Sequence, residues 1–212
     1  GPGEGLQRDR EPPQAGAGRE VGDARVSTLP RVTHILAAVG LGQDFGAARQ
    51  ADLDAASARG THVHRLAEAH HYGYLDEAEI TPAVAPYWSG YLKFLADSRH
   101  EPTHSEVEVI HPTWHYCGHV DRVGYLADGL RWILDFKTGA LVDLVAVGRQ
   151  LAGYRLAWNA MHPATPAQHV AVVQLREDGT YRFRDDVVND PGHEEVFLAA
   201  CVVFRAQKRR AA

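Results

Sequence analysis

From Gly118 to Thr138 the chain reads GHVDRVGYLADGLRWILDFKT. Two apolar-rich runs, His119–Leu126 and Leu130–Phe136, flank the pair Asp128-Gly129. Glycine tolerates the positive φ of a tight turn, so the pattern predicts a β-hairpin. Each run carries one acid where a buried strand would carry Val or Ile. Asp121 interrupts the first, and Asp135 ends the second with Lys137 two residues later. Strand side chains alternate, so Asp135 and Lys137 project from one face and Phe136 from the other. Two carboxylates and an ammonium at adjacent strand ends suit a hard divalent cation and a water beside a phosphodiester. The plain alternative is a structural Asp–Lys pair, because D-x-K alone is a short motif.

Working outward, Gly1 to about Ala24 is rich in Gly, Pro, Gln, Arg and Glu and reads as a disordered tail. Residues 25–212 read as a single domain. Val32, Ile35, Leu36 and Val39 follow helical spacing and stop at Gly40. Phe45 to Arg59 predicts a second helix. Gly60-Thr61 opens another, with Val63, Leu66, Ala67 and His70 as its inward stripe and His64, Glu68 and His71 on the adjacent face. Thr81-Pro82 resembles a cap, and Val84, Trp88, Tyr91, Leu92 and Leu95 continue helically, with Pro86 blurring the start. Ser105–His111 alternates as a strand, with Glu106 and Glu108 on one face. After the hairpin, Leu144, Val147, Leu151, Tyr154 and Trp158 mark a helix within Val142–Met161. His169–Leu175 and Tyr181–Phe183 read as strands around Asp178-Gly179, and Asp190-Pro191 begins a last helix ending in Lys208-Arg209-Arg210. This order predicts an α/β domain with a mixed sheet.

The 212 residues are 45% hydrophobic and 23% charged, ordinary for a globular chain of this length. No apolar run reaches the length of a membrane span, and no basic-then-apolar leader opens the chain. Two cysteines, Cys117 and Cys201, cannot build a disulfide framework, and free thiols fit a reducing compartment, so the expected location is cytoplasmic. A net charge of −5 argues against coating nucleic acid by bulk electrostatics but leaves room for a nuclease, whose metal ligands are acidic.

Five pieces in order, LPRVTHIL, GTHVH, SEVEV, GHVD…DFKTG and QLAGY, cover about Leu29 to Trp158. Together they resemble the PD-(D/E)XK nuclease superfamily, in particular its RecB-type exonuclease branch, which includes phage exonucleases and the mitochondrial genome maintenance exonuclease. The resemblance implies a restriction-endonuclease-like core with a central mixed sheet flanked by helices. It also implies an Mg²⁺- or Mn²⁺-dependent exonuclease acting on DNA ends, in the host cytoplasm if phage-encoded, in recombination, repair or phage DNA processing. By the same resemblance Asp121, Asp135, the Phe136 carbonyl and His64 are metal ligands, Lys137 is the catalytic lysine, and Glu106 completes the catalytic set, with Glu108 a competitor on the same face. Gln150 and Tyr154 match a Q-x-x-x-Y that supports the catalytic strand and the nucleic-acid path. Attack by water would displace the 3′ oxygen in line and leave a 5′ phosphate. Some relatives carry four cysteines for an iron–sulfur cluster, and two cysteines do not suffice for one. Ring-forming relatives leave a homo-oligomer open. The alternative function is a catalytically silent nucleic-acid-binding or interaction module on the same fold.

Several residues have plainer readings. His64 at helical spacing from Glu68 would ordinarily pair with it, and Tyr154 fits its helix's inward stripe. Thirteen histidines, with His62-x-His64 and His70-His71, invite a zinc site, but no H-E-x-x-H is present. Candidate phosphate contacts are Arg31, Arg59, Arg65, Lys93, Arg122 and Arg149, with Ser27, Thr28, Thr33 and Thr138 as hydroxyl donors. Trp114, His115 and Tyr116 are candidates for stacking on bases.

Overall fold

In a computed structural model, residues 29–43, 46 and 50–211 are described. The tail expected over Gly1 to Ala24, and Ser27 and Thr28, lie outside them. The elements are α1 (Val32–Ala38), α2 (Gln50–Tyr72), α3 (Ala85–Ser98), β1 (Glu101–His111), β2 (Tyr116–Tyr125), β3 (Arg131–Lys137), α4 (Leu144–Met161), β4 (His169–Leu175), β5 (Tyr181–Arg184) and α5 (Gly192–Ala211). The strands form one five-stranded sheet in the order β1-β2-β3-β4-β5. Only β3 and β4 run parallel, joined through α4, and the other neighbours are antiparallel. The protein is therefore α/β, a mixed sheet flanked by helices, as the element order predicts.

The sheet separates two cores. One joins Val120, Ile133, Val170 and Val172 to α1, α4 and α5 through Ile35, Leu151, Trp158 and Phe197. The other joins Trp132, Leu134, Phe136, Ala171 and Val173 to α2 and α3 through Val63, Leu66, Tyr91 and Phe94. Helices on both faces leave β3 buried from Arg131 to Phe136, which explains why it reads as a nearly unbroken apolar run. Asp135, only 3% exposed, therefore sits in a strand with little water, where a carboxylate needs partners.

The hairpin turns at Asp128-Gly129 as predicted, with Gly129 at φ +74° and Asp128 accepting the Leu130 N–H at 2.9 Å. Asp143 caps α4 by accepting the N–H groups of Val145 and Ala146. Three boundaries differ from expectation. Gly60 does not open a helix, because α2 runs through it; the loop beyond β3 approaches there, and a Cβ would lie 3.5 Å from Thr138 Oγ1. The part of the second predicted helix before Gln50, apart from Gly46, lies outside the described residues. Helix α3 begins at Ala85 with Pro86 in its first turn, while the Thr81 carbonyl closes the preceding turn. Strand β1 begins at Glu101 rather than Ser105, and its register slips between Pro102 and His104. That bulge breaks the alternation by which a strand is recognised.

Candidate functional site

The β2–β3 ladder runs from Tyr125↔Arg131 to Arg122↔Leu134 and stops. The next rung would pair Asp121 with Asp135. Instead, Asp121 Oδ2 accepts the Phe136 N–H at 2.8 Å. A buried backbone donor must be satisfied, and here a side chain satisfies it in place of the facing strand, so β2 and β3 part at their acidic residues. The Phe136 carbonyl accepts from His64 Nε2, on α2, at 2.9 Å.

The other ring nitrogen of His64, Nδ1, lies 3.1 Å from Glu106 Oε1 and 3.6 Å from Asp121 Oδ1. Both nitrogens thus face groups that only accept when the carboxylates are ionised, and the arrangement is satisfied by the doubly protonated imidazolium. Burial works against that charge, but Asp121 and then Glu106 outweigh it and lift the His64 pKa to about 9. Burial raises Asp121 in turn to about 6, against the pull of His64 and with the added repulsion of Asp135. Glu106 falls to about 2; burial opposes this, and hydrogen bonds from His119 and His64 prevail. His64, Glu106 and Asp121 each offer a donor atom within 4.8 Å of the others.

Glu106 reaches this group by an unusual backbone. Its φ is +48°, the left-handed region that costs a non-glycine residue energy and recurs at functional sites. Glu108, its competitor by alternation, is exposed and stays outside the group. Nor is Glu68 the partner of His64, because the residue across the cleft takes that role.

Lys137 lies on the same side as Asp135, as alternation predicts. Its Nζ stands 2.8 Å from Asp135 Oδ1 and 2.6 Å from Oδ2. Burial opposes the ammonium charge, but Asp135 and Asp121 together push its pKa above the ordinary lysine value. From α4, Gln150 Nε2 reaches Asp135 Oδ1 at 3.4 Å and the Tyr154 hydroxyl at 3.2 Å. Burial, then Asp135 and Asp121, keep the Tyr154 phenol protonated by raising its pKa. The Tyr154 ring lies against β2 where the residue is Gly118, and a Cβ there would stand 2.5 Å from Tyr154 Cε1.

The remaining sequence candidates divide. Thr138 is buried, and its carbonyl accepts from Arg59 Nη2 at 3.0 Å. Arg31 is exposed and bridges to Cys117 of β2, close enough for its charge to act on Tyr154. Thr33 is exposed on the first turn of α1. Arg122 is no surface cation: it is 1% exposed and donates to the Ala67 carbonyl and the Tyr91 hydroxyl. Tyr116 is fully buried and donates to the Gly153 carbonyl, so it cannot stack on a base. Arg65 and Lys93 are paired with Glu79 and Asp97. The zinc reading finds no support, since the three-donor group among the described residues contains one histidine and none of His62, His70 or His71. His70 is exposed, though its ring meets Trp88 and Tyr91 edge-on at 5.5 and 5.9 Å.

His119 is the residue that motif reading passes over. Its Nε2 lies 2.8 Å from Glu106 Oε2, so both oxygens of that carboxylate are held by imidazoles. Its place two residues before Asp121, on the same strand face by alternation, was the available signal. A cleft of about 780 Å³, lined by Ser57, Gly60, Thr61, His64, Glu106 and Lys137 among others, opens onto the group.

No family model matches the chain, and no curated protein does. Among solved structures it is similar to SSO0001, at 14% identity over 82% of each chain with a TM-score of 0.37. It is also similar to an alkaline exonuclease from Laribacter hongkongensis, at 15% identity over 89% of this chain and 95% of that one with a TM-score of 0.34. Likeness at that level assigns no chemistry to this chain.

Proposed function

We propose that the protein is an Mg²⁺- or Mn²⁺-dependent deoxyribonuclease that hydrolyses phosphodiester bonds at DNA ends. One observation carries this reading: parted strands bring Asp121, Glu106 and His64 to within 4.8 Å of one another with a Lys137–Asp135 pair beside them. The donor set fits a hard cation, being two carboxylates, a carbonyl and an imidazole. The raised pKa of Asp121 supports the fit, since it marks a buried carboxylate short of neutralising charge. Asp121, Asp135, the Phe136 carbonyl and His64 would hold the ion, and Glu106 would complete the set. When bound, such an ion supplies charge neutralisation and a lowered pKa for water.

The chain's own groups do the rest. Asp135, itself held by Gln150, fixes the direction of the Lys137 ammonium, which holds the attacking water or a phosphate oxygen. His119 fixes Glu106. His64 must surrender one ring proton to act as a donor, and its neighbours set the cost of that loss. The water displaces the 3′ oxygen in line and leaves a 5′ phosphate. Arg31 and Thr33, both exposed, would flank the DNA path, with the buried Thr138, Gln150 and Tyr154 supporting it from beneath.

The test is cleavage of end-labelled linear DNA with Mg²⁺ or Mn²⁺, comparing the parent with Asp135→Ala and Lys137→Ala. Each substitution is expected to lower the rate by at least about a hundredfold, the scale for removing one group that stabilises developing charge. Equal activity in all three would remove the assignment.

A further inference from the structure

A second cleft, of about 520 Å³, lies between the last turns of α5 and the β1–β2 turn, lined by Pro30, Trp114, His115, Phe204, Arg205 and Arg209 among others. None of its lining residues is acidic. Arg205 donates to the Trp114 carbonyl and holds its guanidinium 5.1 Å from the centre of the Trp114 ring. Lys208 lies 5.6 Å from the centre of the Phe204 ring. Among the described residues, no carboxylate pairs with Arg205, Lys208, Arg209 or Arg210. In a chain of net charge −5, four cations at one helix end without a carboxylate among the described residues, two of them over aromatic rings and three lining the cleft, mark a place for an anion.

We propose that this cleft binds a single-stranded segment of nucleic acid, with phosphates on Lys208 and Arg209 and a base against the Trp114–Arg205 pair. Cations that follow a backbone and flat groups that accept a base are the two parts of sequence-tolerant single-strand binding. An arginine already stacked on an indole presents a planar, weakly hydrated cation for a base to lie on. The location adds a link to the candidate site, a step that rests on the nuclease reading. Pro30 lines the cleft, and Arg31 bridges to Cys117 at the start of β2, the strand that carries Asp121. The cleft and the candidate site therefore share β2, the one beside its start and the other at Asp121.

The test is binding of a labelled oligothymidylate in EDTA, where no divalent ion is present, to the parent and to Lys208→Ala/Arg209→Ala. Both positions are exposed, so the change spares the core. The double variant should bind roughly tenfold more weakly. The slope of log affinity against log salt should fall by about 1.4, at about 0.7 per lost phosphate contact on single strands. Hydrolysis of bis(p-nitrophenyl) phosphate with Mn²⁺ should be unchanged, because so small a diester does not reach the cleft. Absence of oligonucleotide binding by the parent, or an unchanged affinity and salt slope in the variant, would overturn the proposal. So would a loss seen only with phosphatidylserine vesicles, which would assign the cations to a lipid surface beside the exposed Val202 and Val203. If the parent cleaves neither DNA nor the small diester yet the oligonucleotide affinity still falls, the nuclease reading fails and this site stands.

Discussion

At the scale of residues, the chemistry turns on His64. Its two nitrogens donate to the Phe136 carbonyl and to Glu106, so the ring folds as a cation that the surrounding carboxylates hold. Its pKa is raised from 6.5 to about 9, and a group raised on folding stabilises the fold below its unfolded value and loses that contribution as pH climbs through the folded one. Asp121, raised by its burial to about 6, is mostly ionised at the lower end of that window and fully so at the upper end, and keeps its hold on the ring. Without divalent ions the parent should therefore lose stability between pH 6.5 and 9, on the order of 2–3 kcal/mol at about 1.4 kcal/mol per pKa unit. His64→Asn should remove most of that slope. Mn²⁺ should restore stability at pH 9, because an ion that binds only the folded state adds about 2.7 kcal/mol at a hundred times its Kd. Urea unfolding across this range reads all three effects, and a flat profile for the parent would place no imidazolium in the site.

At the scale of elements, Gly118 shows why a motif has the residues it has. The Tyr154 ring of α4 occupies the space that a side chain on β2 would fill. Gly118→Ala should cost about 1–3 kcal/mol, as overpacking of a filled interior does. It should also lower activity beyond what its stability loss explains, because Tyr154 shares Gln150 with Asp135. Adding Tyr154→Leu should recover part of the stability, and a double-mutant cycle in urea measures that coupling. Purely additive losses would mean that the two residues do not meet. The same strands show what the sequence made readable. Asp128-Gly129 and the alternation around it yield the hairpin and the shared face of Asp135 and Lys137, since turn chemistry and strand period are local properties. The apolar stripe of α4 was legible for the same reason, while its Asp143 cap was seen only in the structure. Glu106 could not be separated from Glu108, because its side chain reaches the site through a positive φ that alternation does not contain. The full length of β1 was hidden by a bulge near Thr103, and Arg122 was misread because a cation on a strand says nothing of the helix that will cover it.

At the scale of the whole molecule, the site belongs to no single layer. His64 comes from α2 on one face of the sheet, Gln150 and Tyr154 from α4 on the other, and the acids from the parted strands between them. Whatever fixes α2 on the sheet therefore fixes His64 above Asp121. Arg122 is that fixture. Only 1% exposed, it joins β2 to the Ala67 carbonyl of α2 at 3.0 Å and to the Tyr91 hydroxyl of α3 at 2.9 Å. No carboxylate accompanies it among the described residues, so the two acceptors and the Tyr91 ring face are what offset its burial. Arg122→Ala takes the Tyr91 hydroxyl's partner and the second donor to the Ala67 carbonyl from a dry layer and opens a void, at a cost of about 2–4 kcal/mol. The loss should appear as a lower urea midpoint with little change in oligonucleotide affinity at temperatures where the variant stays folded, since the guanidinium is out of reach of any ligand. A variant of parental stability with weakened, less salt-dependent DNA binding would instead return Arg122 to the surface and separate α2 from the sheet at this point.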